Sequence, residues 1–465
     1  MLNSNNHNTL LHSTIVLILA IPIILVLFLS TSTFDNGDSI KHFLISKYAF
    51  QHSELFFDHW GKPFFTLLSS PFAQLGFKGI CLFNAIIIYS TASLIYFSAH
   101  KLFSNIAISF ICGLSYLFST QVLLFVNSGL TEPLFGFLLI LGIFLTLQQK
   151  YKLAAISISF IIFVRSEGMF IIPLFITGFI FLKQYKAIPL FFTGFVIYSI
   201  AGKLYMNYNF FWYFTNNPYP TGNQYGSGNW IHYFEQFYFF SGLVFSILFS
   251  VGLIFSITSL LKYKTNYMNS IILFWLILST TGTYFFAHVI FWKIGCCGAF
   301  GIQRILMSIM PTSAIIIGFG LYQLSKIKNS FKTNNILPVI AIALVGFQFS
   351  GNPSAWKLDY DFKLNEDQVL ANQLVKSIKP KISWDKKILV SDYYLAYLLN
   401  IDVFDSTKAE ALTFKNMNAH HNMIWDSWYS TIDGHLSEET FNQTSRKTYR
   451  YYSSKTSSIK YITNF

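Results

Sequence analysis

Charge is what this sequence has least of. Only 11% of its 465 residues are Asp, Glu, Lys or Arg, against roughly 25% in an ordinary soluble protein. Most of the chain therefore cannot face water. Acid is scarcer than base, 20 Asp and Glu against 32 Lys and Arg. The resulting net charge of +12 would suit a polyanion. However, no basic run interleaved with aromatics stands in a polar segment, so no nucleic-acid partner is expected. Cysteine is limited to Cys81, Cys112, Cys296 and Cys297. With no CxxC or Cys/His metal spacing, thiol chemistry is not expected, and Cys296-Cys297 reads as inert packing. The apolar stretch Thr14–Leu29 has no Lys or Arg ahead of it and no A-x-A site after it, so it is expected to be a retained span. A Gly-rich phosphate loop, a catalytic-triad spacing and a 20–50-residue repeat are also lacking.

What is abundant is apolar and aromatic: 53% hydrophobic residues, 52 of them Phe. Apolar runs near membrane-spanning length occur at about 13–33, 79–99, 104–125, 130–148, 187–206, 237–261, 268–290, 303–324 and 335–350. The apolar region 153–182 is interrupted by Arg165-Ser166-Glu167-Gly168, which predicts two short helices meeting at a polar turn. With these spans, Lys101, Lys150, Lys152, Lys183, Lys186, Lys262, Lys264, Lys326, Lys328 and Lys332 all fall in short loops on one side. The positive-inside rule makes that side cytoplasmic. The expectation is an all-α polytopic membrane domain of about eleven transmembrane helices over 1–351, in the plasma (inner) membrane. Its N-terminus is cytoplasmic and its first outer loop is 34–63. A small extracytoplasmic α/β domain over 352–465 follows, with a helix at Glu366–Ile378 and strands at Lys387–Ser391 and Met423–Trp428.

The outer side gathers the residues that could do chemistry. The first loop holds Asp35, Asp38, Lys41, His42, Lys47, Glu54, Asp58, His59 and Lys62. Asp38 and His42 share a face if their segment is helical. A carboxylate here can act as general base toward a hydroxyl, and a lysine can pair with phosphate oxygens. Glu132 precedes Pro133 at a helix start, so it is either dipole compensation or a second active carboxylate. Arg165 and Glu167 form either a pair that fixes the helix break or part of a cavity. Arg304 either anchors to headgroups or holds a phosphate bidentately. Tyr205, Tyr208, Trp212, Tyr213, Tyr219, Tyr225 and Trp230 read as an aromatic belt, or else as a sugar-stacking surface. His420-His421 and Asp426 lack a third ligand at metal spacing and read as structural.

Four motifs make the sequence resemble the C-type glycosyltransferase (GT-C) superfamily. The nearest branch is that of bacterial relatives of protein mannosyltransferases and of the lipid A aminoarabinose transferase. Asp38-Ser39-Ile40-Lys41-His42 resembles the first-loop acidic motif, and Gly61-Lys62-Pro63-Phe64 the Lys-Pro motif closing that loop. Arg165-Ser166-Glu167-Gly168 resembles the family's Arg-Pro-Glu-Gly. Arg304 to Pro311 resembles an Arg, an apolar stretch and a Pro opening a late span. Ser39 stands where the family usually has Glu, and the Lys-Pro motif lacks its second Pro. The resemblance implies a sugar donor on a polyprenyl phosphate and a glycan, lipid or protein hydroxyl as acceptor. Transfer would invert the anomeric carbon, with Asp38 as base and Asp35 or Glu132 assisting. Lys62 and Arg304 would hold the phosphate, with His42, His59, Arg165 and Glu167 lining the substrate site. No cofactor is implied, and a divalent metal stays open. The alternative is a transporter or lipid-linked-sugar flippase without transferase activity.

Overall fold

A computed structural model describes residues 2–216, 226–261, 267–326, 333–413, 415–416, 421–444, 449–453 and 458–462. Among the described residues, six helical stretches are long and apolar enough to cross a membrane: Thr9–Leu29, Phe77–Phe103, Tyr185–Met206, Leu243–Leu261, Tyr267–Ile294 and Gln303–Ser325. Five shorter apolar helices join them: Ile106–Leu117, Glu132–Leu147, Tyr151–Phe163, Gly168–Phe181 and Ile336–Phe347. The protein is a polytopic helical membrane protein. Lys262, Lys264, Lys328 and Lys332 lie outside the described residues.

Several spans differ from their sequence outlines for local reasons. The run 237–261 is two helices, His232–Ser241 and Leu243–Leu261, parted at Gly242. Gly242 has φ +83°, and Thr120 and Phe347 fill the space where a Cβ would go, so only glycine fits the break. The run 104–125 is α-helical only to Leu117 and continues as a tighter turn, Val122–Asn127. Its start is fixed by Asn105, whose side chain accepts a 3.0 Å bond from the Ile108 N–H. Cys296 and Cys297 are not packed inside: Cys297 is exposed, and the two sulfurs lie 2.6 Å apart on a loop.

Lys78 fastens the ends of three elements. Its Nζ donates to the carbonyls of Leu27 (3.1 Å) and Ser30 (3.0 Å) and to Asn127 Oδ1 (3.1 Å). Those carbonyls are the unpaired end of the first helix, Leu2–Leu29, so a cation there satisfies orphan acceptors and opposes the helix dipole.

The first loop is ordered rather than open. It contains the helix Asp38–Tyr48 and leads into a helix the sequence reading did not expect, Pro63–Ala73, with proline at its first position. Beyond residue 358 the chain forms a five-stranded sheet flanked by helices. Its strands are β1 (Ile388–Val390), β2 (Ala409–Glu410), β3 (Asn422–Asp426), β4 (Tyr449–Ser453) and β5 (Ser458–Ile462), in the order β2-β1-β3-β5-β4. β1 runs parallel to β2 and β3, with Val390 opposite Ile424, and β5 runs antiparallel to β3 and β4. The helix Glu366–Ile378 and the strand at Lys387–Ser391 match expectation, whereas the second strand begins and ends slightly earlier and the β4–β5 pair was not foreseen.

This C-terminal α/β domain rests on the first loop. The N–H groups of Thr31 and Ser32 donate to the Phe362 carbonyl. Lys47 Nζ donates to Asn400 Oδ1 (2.7 Å), and His52 Nε2 pairs with Asp402 Oδ2 (2.8 Å). Between these contacts the Phe43 ring meets Tyr397 edge-on at 5.6 Å.

Candidate active site

The helix Asp38–Tyr48 starts where it does because of Asp35. Asp35 Oδ1 accepts from the N–H groups of Gly37 (3.1 Å) and Ser39 (2.8 Å), satisfying two donors of the first turn. Its other oxygen, Oδ2, is 2.8 Å from Arg304 Nη1. Asp38 is the first helical residue, and its Oδ2 takes Arg304 Nη2. Its Oδ1 makes no hydrogen bond among the described residues. Arg304 thus bridges both loop carboxylates from the first turn of its own span, Gln303–Ser325.

The pairing continues inward. Arg304 Nε is 3.5 Å from Glu132 Oε1, and the same oxygen is 2.6 Å from Arg165 Nη1. Arg165 Nη2 then bonds Glu167 Oε1 at 2.8 Å, and His288 Nε2 lies 3.3 Å from that oxygen. Four carboxylates, two guanidiniums and an imidazole form one ladder, supplied by five separate parts of the chain. Glu132 is buried, as the second oxygen of a helix-start carboxylate would not be if it only met solvent and dipole. Glu132 Oε2, Arg165 Nε, Ser166 Oγ and Arg304 Nε are buried with no hydrogen-bond partner among the described residues. Buried polar atoms are rarely left so, which makes this cluster the candidate site.

The two loop carboxylates are not equivalent. Burial drives the Asp35 carboxyl up to about 6, against the pull of Arg304, with the Asp38 charge adding to the rise. At Asp38 burial pushes the same way, but the Arg304 guanidinium, with Lys41 adding to it, outweighs burial, and the carboxyl is held below its ordinary value. Asp38 is therefore ionised, with one oxygen fixed and one open.

His42 and His59 sit beside this ladder as neutral rings. His42 stacks on Trp60 at 4.5 Å, and burial, with the charges of Lys62, Arg304 and Lys41, lowers it to about 3 despite Asp38. His59 stacks on Tyr213 at 4.2 Å and is lowered to about 4 by burial and by Lys62. Neither adds positive charge for a phosphate. Lys62 is itself buried, at φ +64°, where it opens the helix Pro63–Ala73, and its charge acts on both imidazoles.

The aromatic reading of 207–235 changes for two of its residues, while Tyr205 and Trp230 are exposed. Trp212 and Tyr213 are interior, packed with Ile162, Phe163 and Tyr198, and the Tyr213 hydroxyl donates to the Ile162 carbonyl at 2.6 Å. They brace the helix break that carries Arg165, and are neither a belt nor a stacking surface. Tyr219 and Tyr225 lie outside the described residues, as does His420. Asp426 is occupied as a turn cap, accepting from Trp428 N–H and from Ser430 Oγ (2.8 Å). Among the described residues no group of three or more His, Cys, Asp or Glu could hold a metal ion.

No protein-family model matches this sequence, and no curated protein does. Solved structures do match. ArnT from Cupriavidus metallidurans, bound to undecaprenyl phosphate, superposes over 97% of this chain and 97% of its own, with TM-score 0.63 at 9% identity. The same protein in its apo state covers 98% of each chain with TM-score 0.64, again at 9% identity. The chain has the GT-C fold. An oligosaccharyltransferase from Archaeoglobus fulgidus, tethered to an acceptor peptide through a disulfide, matches 84% of this chain and 63% of its own at 11% identity, with TM-score 0.49.

Within this GT-C fold the four sequence motifs map unevenly. Asp38, Arg165-Glu167 and Arg304 meet in the ladder, together with Asp35 and Glu132, whereas Lys62 acts on the neighbouring His42 by its charge. His288 was missed, although an ionisable side chain inside the apolar run 268–290 was a readable signal. Trp60, Tyr393 and Tyr429 were also missed, and nothing in their sequence surroundings distinguishes them.

Proposed function

We propose that the protein is a membrane glycosyltransferase that moves a sugar from a polyprenyl-phosphate donor to a hydroxyl acceptor with inversion at the anomeric carbon. One observation carries this reading: Arg304 joins Asp35 and Asp38 to the Glu132–Arg165–Glu167 ladder at one end of the helices, within a fold shared with an undecaprenyl phosphate-binding transferase. In the reaction the acceptor oxygen attacks the anomeric carbon as the bond to phosphate oxygen breaks. Asp38 takes the acceptor proton through its open Oδ1, and polyprenyl phosphate leaves with the electron pair. Arg304 and Lys62 are the cations that meet the charge growing on that phosphate. Phosphate oxygens compete with Asp38 for the Arg304 guanidinium, and each contact the arginine gives up there makes Asp38 a stronger base.

The lysine pattern puts this end outside the cytoplasm, with the domain over 352–465 on the same side and residues 1–351 as the catalytic membrane domain. A flippase built on the same fold would tolerate loss of a proton acceptor, and a transferase would not. The test is Asp38→Asn, purified and checked for its melting temperature, then assayed for sugar release from a polyprenyl-phosphate donor. Transfer is expected to fall by roughly 10²–10⁴-fold with the fold intact. Wild-type turnover by Asp38→Asn and by the Asp35→Asn/Asp38→Asn double variant would overturn the reading in favour of transport.

A further inference from the structure

The first-loop helix Asp38–Tyr48 is covered on one side by the C-terminal α/β domain, and near its start the covering residues include two that follow strand ends. Tyr393 follows β1 and Tyr429 follows β3, the two adjacent parallel strands. The chain leaves β1 toward β2 and leaves β3 toward the opposite side of the sheet. A parallel sheet opens a crevice at such a reversal, outside the carboxyl ends of its strands. At this end of the sheet Tyr429 packs against Gly37, the residue before Asp38.

The contact is close. A Cβ at Gly37 would collide with the Tyr429 hydroxyl oxygen, so the residue before Asp38 is one that leaves room for the phenol. The negative charges of Asp35 and Asp38 both act on Tyr429, and burial holds its hydroxyl protonated. That hydroxyl makes no hydrogen bond among the described residues, although it lies in the field of several carboxylates. Tyr393 meets Tyr429 edge-on at 6.3 Å. Lys41, one helical turn after Asp38, points its ammonium over the rings of Trp60 (3.8 Å) and Tyr393 (4.9 Å). Asp433, a little beyond Tyr429, lies in the field of Lys41 and Asp38.

We propose that Tyr429 is an acceptor-positioning residue, by which the C-terminal domain holds a saccharide-bearing acceptor with its hydroxyl against Asp38. This rests on the transferase reading above. The chemistry of the wall selects the class. The Tyr393 and Tyr429 rings suit the C–H side of a sugar ring, while a phenol, an ammonium and a carboxylate suit its hydroxyls. A peptide laid as an added strand would need an unpaired strand edge, but β1 and β3 are both interior to the sheet. Tyr429 donates its uncommitted proton to an acceptor oxygen, which orients that oxygen's own O–H toward Asp38 Oδ1.

The experiment uses the full chain in lipid nanodiscs. The donor probe is the radiolabelled polyprenyl-phosphate sugar fraction of the cells that make the protein. The acceptor probes are two fractions of the same cells, one of glycolipids and glycans and one of deglycosylated proteins. In the wild type the label is expected to move to the saccharide fraction. Tyr429→Phe is expected to raise the half-saturating amount of that fraction about ten-fold, the loss of one hydrogen bond, and to divert more of the cleaved sugar to water, with the melting temperature unmoved. Gly37→Ala, whose methyl displaces the phenol, should give the same shift, and should add nothing in the Tyr429→Phe background. Transfer to the protein fraction, an unchanged half-saturation in Tyr429→Phe, or a fall in melting temperature alongside it would each overturn the assignment while leaving the transferase reading intact. Donor that the wild type never cleaves would instead remove the transferase reading, and this assignment with it.

Discussion

Glu132 and Arg165 form a 2.6 Å ion pair in which the carboxylate is almost wholly shut off from solvent. Arg304 approaches the same oxygen, so one negative charge separates two guanidiniums. Glu132→Gln keeps the shape and removes that charge. Breaking a buried pair from one side leaves the other charge unpaired and costs about 3 kcal/mol or more. A lower melting temperature is expected, together with lower activity. Adding Arg165→Gln should restore part of the stability, because the stranded cation is then gone. Loss of activity at an unchanged melting temperature would instead make Glu132 a participant in proton transfer.

The unequal carboxylates of the first loop set a pH dependence. Burial favours the neutral form of Asp35, which therefore keeps its proton until pH passes about 6, while Asp38 is ionised well below that. If the base works only when the pair is fully ionised, kcat/KM rises with pH through a limb near 6. Because the two groups are coupled, the limb belongs to the pair. Asp35→Asn should move it to lower pH, and a pH–rate profile with the limb still near 6 would assign it elsewhere.

Lys78 gives a prediction about stability alone. Lys78→Met keeps the stem and deletes the ammonium that serves two carbonyls and an amide oxygen. Charge-assisted bonds contribute about 2 kcal/mol each when lost from a partly buried site, so a drop of several degrees in melting temperature is expected. Donor affinity, measured with undecaprenyl phosphate, should not follow it, since Lys78 belongs to the packing of the first helix.

In the C-terminal domain, Asp392 caps its helix through the Tyr394 N–H (2.7 Å) and is raised to about 8 by burial, with the nearby Asp426 adding to the rise. The unfolded carboxyl ionises near its ordinary value of 3.8, so folding must hold a proton on it between about pH 4 and 8. The native state therefore loses stability as pH climbs through that window, and the loss levels off above 8. Asp392→Asn still caps the helix but does not titrate. Its melting temperature relative to wild type should improve steadily from pH 5 to pH 8. A difference that stays constant with pH would place the proton elsewhere.

The architecture was legible wherever a single segment carries its own signal. Apolar length and lysine position marked the spans, and the Arg165–Glu167 interruption foretold the helix break and its internal pair, seen at 2.8 Å. The ladder was legible only in parts. That Arg165 would also seize Glu132, and that Arg304 would join three carboxylates, depends on how distant helices pack, which no local pattern states. Gly242 looked like one small residue inside an apolar run, and its role as a break emerges only from its neighbours Thr120 and Phe347. Tyr429 belongs to a turn of ordinary composition. Its relevance comes from Gly37, almost four hundred residues earlier in the chain.

The Arg304–Asp35 pair closes a sequence separation of 269 residues. At a synthesis rate of about 5–20 residues per second, the first-loop carboxylates wait roughly tens of seconds for their arginine. Until then the half-made chain presents naked acid at the membrane surface, and Glu132, Arg165 and Glu167 enter the bilayer boundary with only each other to pair with. A chain interrupted before residue 304 thus lacks the cation that pairs its two first-loop carboxylates.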